Sequence, residues 1–263
     1  MTDDAPAWFP PEDEAPDPRR SARIGSKPVP PRRFYREAST KPSEAGFVLT
    51  LDDRPARTPA KAPLALPTAA AAEAVAAEWA AQGAEIDPAR MPLTRLVNSG
   101  LDGVARMREE VVDDIARYAG SDLLCYRAGE PARLVAMQAD AWDPVLDWAR
   151  EALGARFFLT EGVVFAEQPP GSVEAVRGAV ASIRDPIALA ALSTITSLTG
   201  SVLLALAVAM GRLSAVEAWA AAHVDEDFQM EVWGMDDEAL ERRARRWTEM
   251  EASARMIQLI GLA

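Results

Sequence analysis

Residues 187–210 read IALAALSTITSLTGSVLLALAVAM, and this stretch, which has no charged side chain, decides the fold. As a single helix it would be long enough to cross the roughly 30 Å hydrocarbon core of a bilayer. Hydroxyl side chains in its middle, however, lower the hydropathy that membrane insertion requires. These residues are Ser193, Thr194, Thr196, Ser197, Thr199 and Ser201. The stretch therefore favours one buried helix, or two helices broken near Gly200, over a membrane span.

Most of the chain around this stretch carries the spacing of amphipathic helices. Thr68 is a good N-cap for an alanine-rich helix, and Gly83 is a natural stop for it. The predicted helices are residues 69–82, residues 101–118, residues 131–153 with a kink or break at Pro144, and a last helix from about Asp236. One short β-hairpin is expected near residues 157–166. The second half of the chain is therefore expected to be almost entirely helical.

The first 68 residues differ in composition from the rest. Residues 1–32 are rich in proline and acidic side chains, which predicts a disordered or loosely attached arm. Short segments with aromatic, β-branched and leucine residues follow, separated by turn formers. The predicted strands are Arg33–Ala38, Gly46–Leu51 and Arg54–Thr58. Together these patterns predict an α+β protein, predominantly α-helical, with a small β-rich N-terminal domain at 33–68 and a larger all-α domain at 69–263.

Composition excludes several functional classes. The 263-residue chain has a formal net charge of -12, which argues against nucleic acid as the main partner. It contains one cysteine and one histidine, so most zinc sites, thiol redox sites and catalytic triads lack their side chains. Phosphate-binding loops and dinucleotide fingerprints are also missing from the sequence. We therefore expect no catalytic residues, no metal and no cofactor.

His223 is the one place where a ligand cluster could be imagined, because Asp225, Glu226 and Asp227 follow it closely. On a helix these three acids point in directions about 100° apart, so His223 shares a face with at most one or two of them. A two-metal site in a helical bundle would need a second histidine. A solvated acidic face is therefore the preferred interpretation of these acids.

A binding patch is predicted around Trp233. Its residues are Asp225, Glu226, Asp227, Phe228, Gln229, Trp233 and Gly234, and further acids follow at Asp236, Asp237 and Glu238. A glycine after an aromatic residue, between two acidic helical segments, indicates a turn with a polar rim around an apolar centre. Such a composition is typical of a protein–protein contact surface.

At these residues the chain resembles a known family, the assembly chaperones that bind the α subunit of the F-type ATP synthase catalytic sector. The matching segments are Arg33-Phe34-Tyr35; Ala77-Glu78-Trp79 with Gln82; Met91-Pro92-Leu93-Thr94 with Leu96 and Asn98; Asp122 to Arg127 with Glu130-Pro131; Trp142-Asp143-Pro144 with Trp148; and Phe228-Gln229 with Trp233-Gly234. Their order and spacing cover nearly all of the chain after the arm. The resemblance implies a β-rich domain joined to a helical domain, and a chaperone without catalytic activity.

The resemblance also implies a site. In the family an acidic residue just before the aromatic-Gln pair is functionally important, and it aligns here with Asp225, although Glu226 could take that role instead. Trp79 matches a tryptophan that matters in the family, either for folding or for contact with the client, the protein that the chaperone holds. The implied partner is the ATP synthase α subunit, bound until the β subunit replaces the chaperone. We expect a monomer without membrane insertion, in the bacterial cytoplasm, since the acidic arm is unlike a transit peptide.

Two other functions are compatible with the residues alone. A hydrolase that uses only carboxylates would need two acids on facing elements, in a cleft that raises their pKa values. A small-ligand carrier built around residues 187–210 would need an enclosed apolar cavity. Each alternative therefore requires a feature that the three-dimensional structure would show.

Overall fold

A computed structural model describes residues 31–162, 164–234 and 236–261. The predicted arm at residues 1–32 lies outside this part of the chain except for Pro31 and Arg32. Arg32 forms an isolated antiparallel bridge with Glu85, and the Ile86 amide donates to the Pro31 carbonyl over 2.8 Å. The chain is thus anchored to the folded body from Pro31 onward.

A small antiparallel sheet opens the described chain. Its strands are β1 (Ala38–Ser43), β2 (Gly46–Leu51), β3 (Arg54–Pro55) and β4 (Ala65–Leu66). The central strand β2 pairs with the other three, and the register of β1 against β2 runs from Ala38 opposite Leu51 to Ser43 opposite Gly46. The inner positions of β2, among them Leu49, are buried in the core.

The predicted first strand, Arg33–Ala38, is wrong. The strand begins at Ala38 and continues through Pro42 to Ser43. Proline is tolerated there because β1 is an edge strand that pairs only with β2. Tyr35 is instead a core residue that packs against Trp79, with ring centroids 5.5 Å apart. The third strand is also shorter than predicted, since it ends at Pro55 rather than Thr58.

Helix α1 (Ala69–Ala80) covers the sheet, and its N-cap is the predicted one. The Thr68 hydroxyl accepts a hydrogen bond from the Ala71 amide over 3.2 Å. The Tyr35 hydroxyl donates to the Trp79 carbonyl over 2.7 Å and so ties the last turn of α1 to the segment before the sheet. The helix ends three residues before Gly83, because Ala81 already lies outside it.

The continuous helix predicted over residues 101–118 is wrong. The chain forms α2 (Pro92–Ser99), a π-helical turn at Gly100–Val104 and then α3 (Arg108–Arg117). The break is at the point where Gly100 packs directly on the backbone of Ile187: an added Cβ at Gly100 would lie 2.7 Å from the Ile187 Cα. Met107, which lies inside the predicted helix, is instead the exposed residue just before α3.

Helix α4 (Ala132–Trp148) contains Pro144 and does not split there. Pro131 is the N-cap rather than the first helical residue, and a π-helical turn follows at Ala149–Leu153. The hairpin predicted near residues 157–166 is not formed by the described residues. Instead β6 (Thr160–Glu161) pairs in parallel with β5 (Tyr126–Arg127), so this segment attaches to a strand that precedes α4.

The uncharged stretch forms two buried helices, as one of the two predictions stated. Helix α5 (Pro170–Ser182) precedes α6 (Pro186–Thr199) and α7 (Val202–Ala209), and Gly200 between the latter two has a positive φ of 68°. The hydroxyls of Thr196 and Thr199 donate to carbonyl groups of their own helix, so they are satisfied in the core. Among the described residues, no helix is long and apolar enough to span a bilayer.

Three helices complete the chain: α8 (Ala215–Ala222), α9 (Val224–Trp233) and α10 (Asp237–Ile260). The long helix α10 matches the predicted last helix, and Met250, Ala254 and Ile257 on it are buried. Its arginines are not simply solvated, however. Arg243 pairs with Asp227, and the Arg246 guanidinium donates to the Leu198 carbonyl over 2.6 Å. The fold is α+β and mostly helical, as the sequence predicted.

Candidate functional site

Helix α9 carries most of the predicted site residues. Its first turn contains Asp225, Glu226 and Asp227, where negative charge is favoured by the positive end of the helix dipole. Gly234, with a φ of 91°, ends the helix directly after Trp233. The Trp233 side chain is 86% exposed, which makes it the most exposed of the large apolar side chains described. The predicted apolar centre of the patch is therefore a tryptophan held out into solvent.

The three acids on α9 have different surroundings. Asp225 is half-buried, and its carboxylate accepts a hydrogen bond from the Gln138 side chain of α4 over 2.7 Å. Asp227 is ion-paired with Arg243 of α10. Glu226 is exposed, and no hydrogen bond of its carboxylate is found among the described residues. Two acids thus fix α9 to its neighbours, and Glu226 is the acid that faces solvent.

Phe228 and Glu231 connect α9 to the beginning of α4. The Arg133 guanidinium lies over the Phe228 ring, 5.8 Å from its centroid, and it also pairs with Glu231. A cation over an aromatic face and an exposed ion pair each contribute about 0.5–1 kcal/mol. Phe228 is therefore partly covered by this arginine and contributes less open apolar surface than Trp233 does.

A cavity of about 370 Å³ opens between the end of α9 and the beginning of α10. Both predicted site residues and arginines of α10 line it: Glu226, Gln229, Trp233, Gly234, Arg242 and Arg243. We call the residues Glu226, Gln229, Met230, Val232 and Trp233 the α9 surface. It combines exposed apolar side chains with an exposed carboxylate.

His223 is a buried structural residue at the junction of α8 and α9. Its Nδ1 lies 2.8 Å from the Trp219 carbonyl, which can only accept, so Nδ1 carries the proton and donates. The ring stacks on Trp219 with centroids 3.9 Å apart. Burial lowers the pKa of His223, and the ring is neutral at pH 7. Within the described ranges there is no group of three metal-ligating side chains.

Trp79 lies at a different place from the α9 surface. It is half-buried against Tyr35, and its buried indole Nε1 has no hydrogen-bond partner among the described residues. The Trp79 ring lines a groove of about 550 Å³ together with the exposed Phe34. Both roles considered for Trp79, packing and client contact, are compatible with this position.

Sequence reasoning did not identify Gln138, Arg133 or Arg243, which hold α9 in place. Gln138 is buried and uses both ends of its amide: Oε1 accepts from the Ala128 amide over 2.8 Å, and Nε2 donates to Asp225. The available signal was weak, because a glutamine or an arginine on a helix is normally read as a solvent-facing residue. Only the packing of α9 between α4 and α10 reveals these contacts.

The structural features required by the two alternative functions are not found in the described part of the chain. Burial raises the pKa of Glu78 and raises that of Asp122 to about 6, but both carboxylates accept hydrogen bonds from backbone amides and neither lines a cleft. The stretch 187–210 packs against other helices, and the cavity that its Ser193 and Thr196 help to line is open and polar. The apolar and acidic α9 surface therefore remains the best candidate site.

Comparison with known proteins identifies the family of the chain. The family described as ATP12 chaperone protein matches residues 32–150. The crystal structure of Atp12 from Paracoccus denitrificans is 44% identical, covers 88% of this chain and 98% of its own, and superposes with a TM-score of 0.83. An aspartate-to-lysine mutant of the Paracoccus protein matches at 43% identity with the same coverage and TM-score. A candidate chaperone from Agrobacterium tumefaciens is 49% identical, covers 93% of this chain and 91% of its own, and has a TM-score of 0.84. This chain therefore belongs to the ATP12 family of assembly chaperones.

Proposed function

We propose that this chain binds the free α subunit of the F-type ATP synthase catalytic sector, covers its apolar subunit interface and releases it when the β subunit assembles. The observation that carries this proposal is the α9 surface, where Trp233 is held out into solvent beside the open carboxylate of Glu226. Trp233 continues the apolar surface of the exposed Val232 and lines the cavity beside α10, and apolar patches with a polar rim mark interaction sites on soluble proteins.

In this mechanism the chaperone binds the client and shields it, and no chemical reaction takes place. An unassembled subunit exposes apolar surface that its partner will later cover, and such surface aggregates. A chaperone that covers this surface needs complementary shape and charge, and it must bind weakly enough to be displaced. The proposal includes no catalytic residue, no cofactor and a monomeric chaperone. We assign this activity to the bacterial cytoplasm, where the buried thiol of Cys125 would stay reduced.

The contacts of the individual side chains support a division of roles on α9. Glu226, Gln229 and Trp233 are exposed and are assigned to the client. Asp225 and Asp227 are assigned to positioning, because their carboxylates are engaged by Gln138 and Arg243. For the functionally important acid we therefore propose two separate roles. Glu226 contacts the client, and Asp225 fixes the position of α9, the helix that carries Glu226.

Co-expression with the α subunit tests the proposal. We expect the parent chain to keep that subunit soluble, and we expect Trp233→Ala to weaken binding by about thirtyfold, since truncating a central aromatic anchor costs 2 kcal/mol or more. Glu226→Arg should weaken binding more than Asp225→Asn does. The matched control is Glu110→Arg, the same charge reversal at an exposed position of α3.

The stability of each variant separates binding from folding. Trp233 is exposed, so Trp233→Ala should change the free energy of unfolding by less than about 0.5 kcal/mol. Glu226→Arg and the control Glu110→Arg should each cost about 1 kcal/mol, because both positions lie in the first turn of a helix. Binding that is equal for the parent, Trp233→Ala and Glu226→Arg would show that the α9 surface is not the client site. A parent chain that does not keep the α subunit soluble would contradict the proposed client itself.

A further inference from the structure

A second exposed apolar surface lies outside every residue assigned so far. Phe158, Leu159, Val164 and Phe165 are 61%, 50%, 68% and 67% exposed, and we call these four residues the apolar loop. Together they expose apolar area on the order of 400 Å², which reaches the size at which surface patches on soluble proteins mark interaction sites.

The base of the apolar loop is fixed by two buried polar side chains. The Gln168 amide accepts from the Phe158 amide over 2.8 Å and donates to the Phe158 carbonyl over 3.0 Å. The Ser172 hydroxyl accepts from the Arg156 amide over 2.8 Å and donates to the Arg156 carbonyl over 2.6 Å. Both side chains are only 5% exposed. The fold thus holds the ends of this segment in place while its apolar side chains face solvent.

Hydrogen bonds connect the apolar loop to the α9 surface. Strand β6 within the loop pairs with β5, and the Gly162 amide donates to the Arg127 carbonyl over 2.9 Å. The residue after β5 is Ala128, and its amide donates to the Gln138 side chain, which in turn donates to Asp225 on α9. The loop and α9 are therefore attached to the same short segment of backbone and to the same buried glutamine.

The charges around the two surfaces have the same sign. Glu161 and Glu167 are exposed within and beside the apolar loop, and Glu130 is exposed two residues before α4. Three arginines lie nearby: Arg127 is opposite Glu161 in the pairing of β5 with β6, and Arg150 and Arg156 line a cavity with Leu159. Arg127 and Arg150 are ion-paired with Asp143 and Asp147, whereas no ion pair of Arg156 is found among the described residues. On α9 the open carboxylate is Glu226. A partner that fits both surfaces would present apolar side chains flanked by basic ones.

We propose that the apolar loop is a second contact site for the protein client, so that the chaperone holds the free α subunit by the loop and by the α9 surface together. This inference rests on the proposed function and extends it, because it assigns residues that the site on α9 does not include. Two connected contacts allow each to be weak while the pair holds the client, which suits a complex that must later be displaced.

Site-specific photocrosslinking in the full-length chain tests this inference. Benzoylphenylalanine replaces Phe165 in one protein and Val216 in another, and each is co-expressed with the α subunit and irradiated. Val216 is the matched control because it is 64% exposed, on α8. We expect a crosslink to the α subunit from position 165 and none from position 216.

Affinity for the purified α subunit supplies the second readout. The double variant Val164→Ser with Phe165→Ser should bind about tenfold more weakly or worse, whereas Val216→Ser should bind like the parent. All three altered side chains are exposed, so circular dichroism and the unfolding midpoint should match those of the parent.

The outcomes separate this inference from the proposed function. If the parent binds the α subunit while the double variant binds equally well and position 165 gives no crosslink, the loop is not a client contact and the proposed function stands. A crosslink from position 165 to a second copy of the chain would also overturn the inference. A parent chain that fails to bind the α subunit overturns both proposals.

Discussion

The buried carboxylate of Asp122 should make the stability of this protein depend on pH. Asp122 is fully buried between the segment before β5 and the N-terminus of α7. Its oxygens accept from the Leu124 amide over 3.1 Å and from the Leu203 amide over 3.2 Å. Burial raises the pKa of Asp122 from 3.8 to about 6, against the opposing hydrogen bonds from Ser201 and these backbone amides.

The sign and size of the effect follow from linkage. Because the pKa is higher in the folded protein than in the unfolded chain, the folded state binds the proton more tightly between pH 3.8 and about 6. The associated stability is fully present below pH 3.8 and is lost as the pH rises through 6. Relative to pH values well below 3.8, the folded protein has lost about 1.6 kcal/mol of this stability at pH 5 and about 3 kcal/mol at pH 8. Its stability should therefore fall by about 1.4 kcal/mol between pH 5 and pH 8.

Asp122→Asn removes the titration while it keeps the shape of the side chain. Its amide group will face at least one backbone donor, which costs about 1–3 kcal/mol at every pH. The quantity to measure is therefore the free energy of unfolding of the parent minus that of Asp122→Asn, from urea titrations between pH 5 and pH 8. This difference should fall by about 1.4 kcal/mol over that range, and the subtraction cancels the titration of the other carboxylates.

A difference that stays constant from pH 5 to pH 8 would refute the reasoning. It would mean that the donors around Asp122 stabilise the carboxylate enough to offset its burial, so that the group is already ionised at pH 5. Hydrogen bonds strong enough to lower the pKa below 3.8 would also leave the difference constant over this range, and they would make it rise with pH only below about pH 5.

Two further substitutions test the packing of the helical part. Glu78→Gln should lower the free energy of unfolding by about 1–3 kcal/mol in urea titrations, because Glu78 accepts from the Leu93 and Thr94 amides and caps α2, and an unchanged midpoint would contradict this. Gly100→Ala should cost about 1–3 kcal/mol by the same measurement, since its Cβ would meet the Ile187 backbone, whereas Gly178→Ala, where no atom lies within 4 Å, should be neutral or stabilising.

The sequence predicted those parts of the fold that depend on local pattern. The Thr68 cap, the buried pair of helices broken at Gly200 and the long last helix each follow from residues that lie next to one another in the chain. Its errors fall where tertiary contacts decide. The π-helical turn at Gly100 depends on the approach of Ile187, and the parallel pairing of β6 depends on a strand more than thirty residues earlier.

The segments that carry the resemblance prove to be internal contacts as well as surface features. Glu78 reaches the beginning of α2, and Gln82 accepts from the Asp87 amide over 2.7 Å. Arg127 donates to the Leu124 carbonyl over 3.0 Å and its guanidinium lies 5.2 Å from the centroid of the Trp142 ring. Motif residues of this kind stabilise the fold, so their presence indicates the fold rather than the binding site. The candidate site could be predicted from the sequence only near Trp233, because there an apolar residue lies among acidic residues.

Both proposed contact surfaces are built on a buried glutamine, and this shared feature is itself an argument for binding. Gln138 is 2% exposed and Gln168 is 5% exposed, and an amide is costly to bury unless hydrogen bonds replace those it made with water. Each glutamine makes these bonds to a segment that also carries a largely exposed aromatic side chain, Trp233 in one case and Phe165 in the other. Fixing exposed apolar side chains in advance reduces the entropy that a partner must overcome on binding. A chain that only needed to fold would gain more by burying Trp233 and Phe165 than by leaving them exposed to water.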